Sequence, residues 1–430
     1  MNVLILGAAV SGTAAAHLAR RLGLGVEIYD QQAAALGSLQ AEGFALHSGP
    51  WTPHLLEDVD LVVTSPGIPE AAAPIVDTLA AGIALWSEME FAARHLDAPY
   101  LAVTGTNGKT TVAEATAAML EQAGVKVCAA GNIGTALSSV VGEPWDVVVV
   151  EASSFQLRFT DTFHPVAAAL LNVAPDHLDW HGTENAYAAA KARIYANQTP
   201  QDILVFDADD PGAVAAVTGA TSTLTPVSGR RLPVGGNGVD GDTVVIGEME
   251  LPRPNLDESF LVDLVAAGTL ARHVGAHRMS VATAMAAFEP GPHRRTVVGA
   301  WDGVTWVDDS KATNPHAAVA AASAYRDVVL IAGGRNKGLD LAPLAAVPSV
   351  RHIIALGEAA GDLATAAPGR VTLVDTMNAA VVAADRLASP GTTVLLAPGC
   401  ASFDMFRSYG ERGEQFRRLV IDHKGGDDGK

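Results

Sequence analysis

The chain has 430 residues, of which 49% are hydrophobic and 17% are charged, and its formal net charge at pH 7 is −19. The composition is typical of a folded protein, and the length predicts two or three domains; we expect three. The net negative charge argues against a broad nucleic-acid-binding surface. A small anionic substrate remains compatible with it, because a phosphate site needs only a local group of amides and a few cations.

The first part of the chain alternates short apolar strands with helical segments. The stretches "NVLILG", "GVEIYD", "DLVVTSPG" and "IALWSE" predict strands, and residues 14–21 predict a helix. A glycine turn of the dinucleotide-binding kind, "GAAVSG" at 7–12, follows the first strand, with Ala9 in place of the middle glycine and Asp30 ending the second strand. A nicotinamide-dependent oxidoreductase is one interpretation of this turn, and a strand-to-helix turn without a ligand is another.

A second strand series begins at "DAPYLAVTG" and continues with "VKVCAAGNIG", "WDVVVVEAS", "VAAALLNVAPDH" and "ILVFDADD". Its first strand leads into "TGTNGKTT" at 104–111, which resembles a P-loop but has Val103 where the first glycine belongs. Glycines let backbone amides surround phosphate oxygens, Lys109 supplies positive charge, and Thr110 or Thr111 can bind magnesium. A nucleotide-switched binding protein without catalysis would carry the same loop.

Two further strand ends in this series carry polar residues. Glu151 ends a very apolar strand, where a carboxylate is costly unless it is paired or binds a metal. A later strand is followed by Asp176, His177, Asp179 and His181. Carboxylates and imidazoles without thiolates favour magnesium over zinc, so we predict a magnesium and phosphate site here. For Glu151 the alternative is a satisfied polar residue at a strand end.

The third strand series consists of "WVDDS", "DVVLIAGG", "HIIALG" and "TTVLLAPG", after the proline-containing "FEPGPHRRT". The turns "DDSKATNP", "GGRNKGLD" and "CASFDMFRSYG" follow strands, and ligands of open α/β sheets lie beyond the carboxyl ends of strands. A helix cap would explain any one of these turns. Breaks in the pattern predict α/β domains over 1–95, 96–295 and 296–430.

The compartment follows from the cysteines and the apolar runs. Cys128 and Cys400 are the only cysteines, which favours a reducing environment without a disulfide framework. No run reaches the roughly 18 apolar residues needed to span a bilayer, and the N-terminus lacks the features of a secretory signal. We therefore expect a cytoplasmic enzyme that binds neither membrane nor nucleic acid.

Across nearly the whole chain, an ordered set of motifs resembles the Mur ligases: "TGTNGKTT", "GNIG", "EASSFQL", "NVAPDHLDWHG", "AAAKARIY", "PHR", "DDSKATNP" and "CASFDMF". The resemblance implies an N-terminal Rossmann-like domain for a UDP substrate, a central P-loop ATPase-type domain with a parallel sheet, and a C-terminal Rossmann-like domain for an amino acid. Three motifs, "SSFQL", "DDSKATNP" and "CASFD", resemble the members that add D-glutamate to UDP-N-acetylmuramoyl-L-alanine. In that reaction ATP phosphorylates the alanyl carboxylate and the amine of D-glutamate attacks the acyl phosphate. A sibling ligase for another amino acid is the nearest alternative.

The resemblance also implies site residues. Those expected in catalysis are Lys109, His177 and Lys191. Those expected to bind two magnesium ions are Thr111, Glu151, His177 and Lys191, the last as a carbamate. Those expected at ATP are Gly105, Thr106, Asn107, Gly108, Lys109, Thr110, Thr111, Arg294, Asp309 and Lys311. Those expected at the UDP substrate are Ser11, Asp30, Ser65, Gly67, Asn132 and His177. Those expected at D-glutamate are Thr313, Lys337, Ser402 and Tyr409.

Some positions depart from the family pattern. Arg278 and Val281 stand where relatives carry asparagines near adenine, so those contacts are not transferred to this chain. Phe403 and Tyr409 replace a leucine and a phenylalanine but keep an apolar wall, so we expect D-glutamate selection to be retained. From the residues alone Lys191 is an ordinary helix lysine, and its carbamate is implied only by the resemblance. We expect a monomer acting on small molecules.

Overall fold

A computed structural model describes residues 1–425 of the chain. The described residues form two units, one made of Met1–Val173 and Trp180–Phe288, and the other made of Ala174–Asp179 and the residues from Glu289 onward. Within residues 1–425, none of the helices combines the length and the apolar character that a membrane crossing requires.

The N-terminal part of the first unit contains β1 (Asn2–Leu6), α1 (Val10–Arg21), β2 (Gly25–Asp30), α2 (Gly37–Gln40), β3 (Ala45–Ser48), β4 (Leu61–Thr64), α3 (Ala73–Ala80), β5 (Ala84–Ser87) and α4 (Glu88–Ala93). The strands form a parallel sheet in the order β3-β2-β1-β4-β5. This is a Rossmann-like order, as predicted, and it places the glycine turn after β1 at the middle of the carboxyl edge.

The central part contains β6 (Tyr100–Thr104), α5 (Lys109–Glu121), β7 (Val127–Gly131), β8 (Val147–Glu151), α6 (Ser154–Arg158), β9 (Ala167–Leu170), α7 (Leu178–His181), α8 (Glu184–Ala192), β10 (Ile203–Asp207), α9 (Pro211–Ala216), β11 (Thr223–Val227), β12 (Gly238–Asp240), β13 (Thr243–Ile246), β14 (Met249–Pro252), α10 (Glu258–His273) and α11 (Arg278–Ala286). A parallel sheet runs in the order β11-β10-β9-β6-β8-β7, so the loop after β6 lies between the ends of β9 and β8. The small antiparallel sheet β12-β13-β14 was not predicted, because strands of three or four residues carry too little alternation to detect.

The second unit contains β15 (Thr296–Trp301), β16 (Val304–Asp308), α12 (Pro315–Ser323), β17 (Val328–Gly333), α13 (Ala342–Ala345), β18 (Val350–Leu356), α14 (Ala360–Ala366), β19 (Val371–Leu373), α15 (Met377–Leu387), β20 (Thr393–Gly399) and α16 (Tyr409–Gly425). Its sheet has the order β15-β16-β20-β17-β18-β19 and is parallel except for the β15–β16 hairpin. Asp302 and Gly303 both have positive φ in the turn of that hairpin, a conformation that Asp-Gly favours.

One hydrophobic core joins the two sheets at the start of the first unit. Fully buried Ile5 and Phe91, from the N-terminal part, belong to the same cluster as Val150 and Leu157, from the central part. Apolar burial of this extent stabilises the two domains as one unit. The three-domain α/β architecture is the one that the sequence predicts.

Helix α4 carries two buried glutamates whose environments differ. Oε1 of Glu88 accepts a hydrogen bond from the Ser138 amide at 2.6 Å, whereas Oε2 has no hydrogen-bond partner among the described residues, and burial raises the pKa of this carboxyl. Burial would also raise the pKa of Glu90, but hydrogen bonds from Thr162 and Arg94 outweigh it and hold the pKa below its usual value. The two carboxyls therefore contribute to stability with opposite pH dependence.

Glu88→Gln is expected to stabilise the fold at pH 8 by about 1 kcal/mol. The native pKa of Glu88 is raised, so its contribution is fully present below the unfolded pKa and is lost as the pH rises through the native value. Glutamine keeps an acceptor for the Ser138 amide without the charge. Urea unfolding at pH 5 and pH 8 measures the difference, which should be larger at pH 8.

Glu90→Gln is the matched control two residues further along the same helix. The lowered pKa of Glu90 means that its ionised form stabilises the fold above the unfolded pKa and that this contribution fades as the pH falls. We expect this variant to be destabilised at pH 8 by about 1–3 kcal/mol. Similar losses for both variants at pH 8 would contradict the account of Glu88.

Candidate functional site

The loop after β6 is short and is fixed by a left-handed glycine. Val103 lies inside the strand, so the loop proper spans Gly105 to Gly108 and leads directly into α5. Gly108 has φ 85°, and a Cβ there would lie 2.5 Å from Oδ1 of Asp263. Only glycine fits this position, and the first turn of α5 directs its amides toward the loop, an arrangement suited to binding anions.

Two lysines converge on the same loop carbonyl. Nζ of Lys109 donates to the carbonyls of Gly105 and Thr106 at 2.8 and 3.0 Å, and Nζ of Lys191 donates to Gly105 O at 2.6 Å. Lys191 is only 1% exposed and lies 4.6 Å from the centroid of the Tyr187 ring, whose hydroxyl is 3.1 Å from Thr106 Oγ1. Two ammonium groups therefore meet at the Gly105 end of the loop, and the Asp263 carboxylate lies against its Gly108 end.

Asn172, which the sequence analysis did not single out, holds the other side of this loop. Its Oδ1 accepts from the Asn107 amide at 2.8 Å and its Nδ2 donates to Asn107 O at 3.2 Å. Its carbonyl accepts from the Thr106 amide at 2.9 Å. The motif "NVAPDH" contains this asparagine, but the sequence gives no sign that it pairs with a peptide group 65 residues earlier.

Glu151 is the last residue of β8, and only one of its two carboxylate oxygens accepts a hydrogen bond from a described residue. The side chain is 2% exposed, and Oε1 accepts from Asn132 Nδ2 at 2.8 Å. Its Oε2 is buried without a hydrogen-bond partner among the described residues. Such an oxygen is costly, and a hard cation would satisfy it. Thr111, 4% exposed in the first turn of α5, supplies a hydroxyl from the neighbouring segment of the sheet edge.

The residues of the predicted magnesium and phosphate site that follow β9, namely Asp176, His177, Asp179 and His181, divide between the two units. His181 belongs to the first unit, where it is buried with Nε2 2.9 Å from Ser154 Oγ. The other three belong to the second unit. Within residues 1–425 there is no group of three or more His, Cys, Asp or Glu that could hold a metal, so magnesium would also need hydroxyl, phosphate and water oxygens.

In the second unit Asp176 forms an ion pair with Lys337. Its Oδ1 accepts from Lys337 Nζ at 2.8 Å and from the His177 amide at 2.8 Å, while Oδ2 accepts from Asn314 Nδ2 at 3.1 Å. Burial would raise the pKa of Asp176, but Lys337 and His177 outweigh it and hold the pKa below its usual value. Asp176 thus links the turns that follow β16 and β17, and His177 stands beside it in left-handed backbone with φ 53°.

The turn after β16 is held by a buried histidine–carboxylate pair. Nδ1 of His293 lies 2.6 Å from Oδ2 of Asp308, which is fully buried. His293 and Arg295 both have positive φ, and half-buried Arg294 lies between them. Asp309 accepts from the Arg295 amide at 3.2 Å. These contacts fix the backbone positions from which the side chains of Arg294 and Asp309, the predicted nucleotide-binding residues, extend.

Arg412 joins this turn to the end of β20, and the sequence analysis missed it. The guanidinium is 2% exposed and donates to Ser310 Oγ and Ser310 O, both at 2.9 Å, and to Cys400 O at 3.1 Å. Burial lowers its pKa to about 10, so it stays charged at neutral pH. Its spacing of four residues from Phe416 and of eight from Val420 was the available signal for a buried helix face.

Of the residues predicted to bind the amino acid, Thr313, Lys337 and Ser402 lie on turns of the second unit, and Tyr409 is the first residue of α16. Thr313 is half-buried before the N-cap of α12, and Ser402 is 2% exposed after β20. The Tyr409 ring lies 4.1 Å from Lys311 Nζ, and Phe403 is 66% exposed. The hydroxyls of Thr313 and Ser402 and the ammonium groups of Lys311 and Lys337 therefore follow the carboxyl ends of strands.

Four of the six residues predicted at the UDP substrate lie in the N-terminal part, whereas Asn132 donates to Glu151 in the central part and His177 belongs to the second unit. Asp30 accepts from the amides of Ala8 and Gln32, both at 2.9 Å. Ser65 is 9% exposed, and its Oγ is buried without a hydrogen-bond partner among the described residues. Ser11 is half-buried in the first turn of α1, and Gly67 is exposed after β4. Oδ2 of Asp30 thus shapes the turn after β1, while Oδ1 shapes the segment that follows β2.

Comparison with known proteins shows the family of this chain. Family models match in chain order: "Mur ligase MurD-like, N-terminal domain" over residues 1–87, "Mur ligase middle domain" over 103–227 and "Mur ligase, glutamate ligase domain" over 293–400. A UDP-N-acetylmuramoylalanine--D-glutamate ligase from Frankia casuarinae is 42% identical, with 99% of this chain and 95% of the relative covered. The chain belongs to the Mur ligase family.

Two further comparisons bear on this Mur ligase. The enzyme of the same name from Pelotomaculum thermopropionicum is 38% identical, with 99% of this chain and 98% of the relative covered. The crystal structure of MurF ligase from Thermotoga maritima in complex with ADP matches with a TM-score of 0.61 at 15% identity, over 94% of this chain and 96% of that one. The structural match supports the fold alone.

Gly413→Ala is expected to destabilise this Mur ligase by about 2 kcal/mol, because the added methyl overpacks the histidine–carboxylate pair. A Cβ at Gly413 would lie 2.2 Å from His293 Nδ1 and 2.8 Å from Asp308 Oδ2. Gly410→Ala is the matched control on the same helix, since its nearest atoms would be 3.7 and 3.9 Å away. Thermal unfolding should separate the two variants, and an equal effect of both would contradict the tight packing at Gly413.

Proposed function

We infer that this chain is an ATP-dependent ligase that adds D-glutamate to UDP-N-acetylmuramoyl-L-alanine in peptidoglycan precursor synthesis. The observation that carries the inference is its near-full-length similarity to enzymes named for this activity, at 42% and 38% identity. The match of its C-terminal part to a glutamate ligase domain agrees with this substrate. A sibling ligase for a different amino acid is the alternative that the experiment below separates.

We propose that ATP binds at the loop from Gly105 to Thr111, and that Arg294, Asp309 and Lys311 are further ATP-binding residues. The support is the left-handed glycine, the helix start and the two lysine ammonium groups directed at Gly105. A solved Mur-type ligase of similar fold binds ADP. Lys109 would stabilise the charge that develops on the transferring phosphoryl group.

Two magnesium ions are proposed. The first would be held by Thr111 and Glu151, and the buried Oε2 of Glu151 supports this because the oxygen lacks a hydrogen bond among the described residues. The second would be held by His177 and a carbamate on Lys191, whose 1% exposure is unusual for an unmodified lysine. Bound magnesium neutralises phosphate charge during phosphoryl transfer.

The chemistry requires two bond exchanges. An oxygen of the alanyl carboxylate attacks the γ-phosphorus of ATP, and the bond to the bridging oxygen breaks to release ADP. The amine nitrogen of D-glutamate then attacks the acyl carbon, loses a proton, and displaces inorganic phosphate to leave an amide. Phosphorylation is needed because a carboxylate is a poor electrophile, and the protein contributes positioning and charge stabilisation.

The remaining substrate contacts are proposals of the same kind. We propose the UDP substrate at Ser11, Asp30, Ser65, Gly67, Asn132 and His177. We propose D-glutamate at Thr313, Lys337, Ser402 and Tyr409. The enzyme is proposed to act as a cytoplasmic monomer with domains over 1–95, 96–295 and 296–430.

The test is phosphate release from ATP, magnesium and UDP-N-acetylmuramoyl-L-alanine, with D-glutamate, L-glutamate or no amino acid added. We expect release only with D-glutamate, together with a product heavier by one glutamate residue. Lys109→Ala should abolish this release with the fold intact, while Lys126→Ala, an exposed lysine near Trp145, should not change it. Equal release with D-glutamate, L-glutamate and no amino acid would indicate a nucleotide hydrolase and contradict the ligase.

A further inference from the structure

The side chain of Asn172 pairs with a whole peptide unit of the nucleotide loop. Oδ1 accepts from the Asn107 amide at 2.8 Å and Nδ2 donates to Asn107 O at 3.2 Å. The two bonds run in opposite directions, as between paired strands, and so define both the position and the tilt of that peptide. A third bond, from the Thr106 amide to Asn172 O at 2.9 Å, extends the pairing by one residue.

This pairing removes two loop amides from the phosphate-binding set. The Thr106 and Asn107 N–H groups point at Asn172, whereas in a P-loop the backbone amides curl around phosphate. Anion binding then depends on the turn that begins at Gly108 and on the Lys109 ammonium. The direction of that turn is set by the Asn107 peptide immediately before it.

Asn172 is itself held rigidly. The amide of the preceding residue, Leu171, donates to Thr104 O at 2.9 Å, and the amide of the following residue, Val173, donates to Asp210 Oδ1 at 3.1 Å. Gly212 packs so closely that a Cβ there would lie 1.9 Å from Val173 O. Its backbone is therefore fixed on both sides, which reduces the entropy lost when its side chain orders the loop.

We propose that Asn172 is a positioning residue for the nucleotide: it takes the place of the missing first P-loop glycine by fixing the Asn107 peptide from outside the loop. Val103 occupies that glycine position inside β6. This inference rests on the proposed binding of ATP at the loop. Asn172 acts through the loop backbone and needs no contact with the nucleotide.

The test is binding of ADP with magnesium to the full-length chain, measured by calorimetry without turnover. Asn172→Ala removes both side-chain bonds and leaves the Asn107 peptide unpaired, so we expect ADP to bind at least about tenfold more weakly. Asn237→Ala is the matched control, because the side-chain amide of Asn237 also makes two hydrogen bonds. It accepts from Gly247 N at 2.7 Å and donates to Thr269 Oγ1 at 2.9 Å. That variant should lose stability but keep its ADP affinity within about twofold.

A second variant covers the case in which Asn172→Ala fails to fold. Asn172→Asp keeps the acceptor for the Asn107 amide but turns a carboxylate oxygen toward Asn107 O, and it should weaken ADP binding by about tenfold as well. Unchanged ADP affinity in either folded variant would overturn the role of Asn172. Failure of the wild-type chain to bind ADP would instead overturn the proposed nucleotide site.

Discussion

The structure depends on how polar groups are satisfied where buried parallel strands end. Glu151, Asp308 and Asp176 are all carboxylates less than 5% exposed, and each lies at or shortly after the end of a strand. A charge in such a place is tolerated only when it is paired, hydrogen-bonded or bound to a cation. Asp308 has His293 and a backbone amide, and Asp176 has Lys337 and Asn314. Glu151 has one bond from Asn132.

The number of hydrogen bonds that each carboxylate accepts therefore distinguishes Asp308 and Asp176, which have structural partners, from Glu151, which has an oxygen suited to a ligand. The oxygens of Asp308 and Asp176 fix the turns on which the predicted nucleotide and amino-acid residues lie. Oε2 of Glu151 has no such structural use among the described residues, and β8 pairs with β6, the strand that leads into the loop with two lysine ammonium groups. A buried carboxylate with one unsatisfied oxygen costs stability, and functional sites commonly carry such a cost.

The sequence predicted those features that depend on local pattern. Apolar runs identified most of the strands, and the ordered motifs identified the family, because both are contiguous in the chain. The β15–β16 hairpin was missed although its Asp-Gly turn was visible, since only apolar runs were sought. Long-range contacts were not predicted, because no local pattern encodes them. The hydrogen-bond partner of Asn172 is 65 residues away, that of Arg412 is 102 residues away, and that of Lys191 is 86 residues away.

The most direct test of this account compares Glu151→Gln with the wild-type chain by thermal unfolding, with and without magnesium and ADP. Glutamine keeps an acceptor for Asn132 and removes the charge, so the variant should be at least as stable as the wild type without ligand. Ligand that binds the native state raises the unfolding temperature, and the variant should lose this rise with magnesium and ADP. A ligand-free variant that is strongly destabilised, or one that keeps the wild-type rise, would contradict a cation-binding role for Glu151.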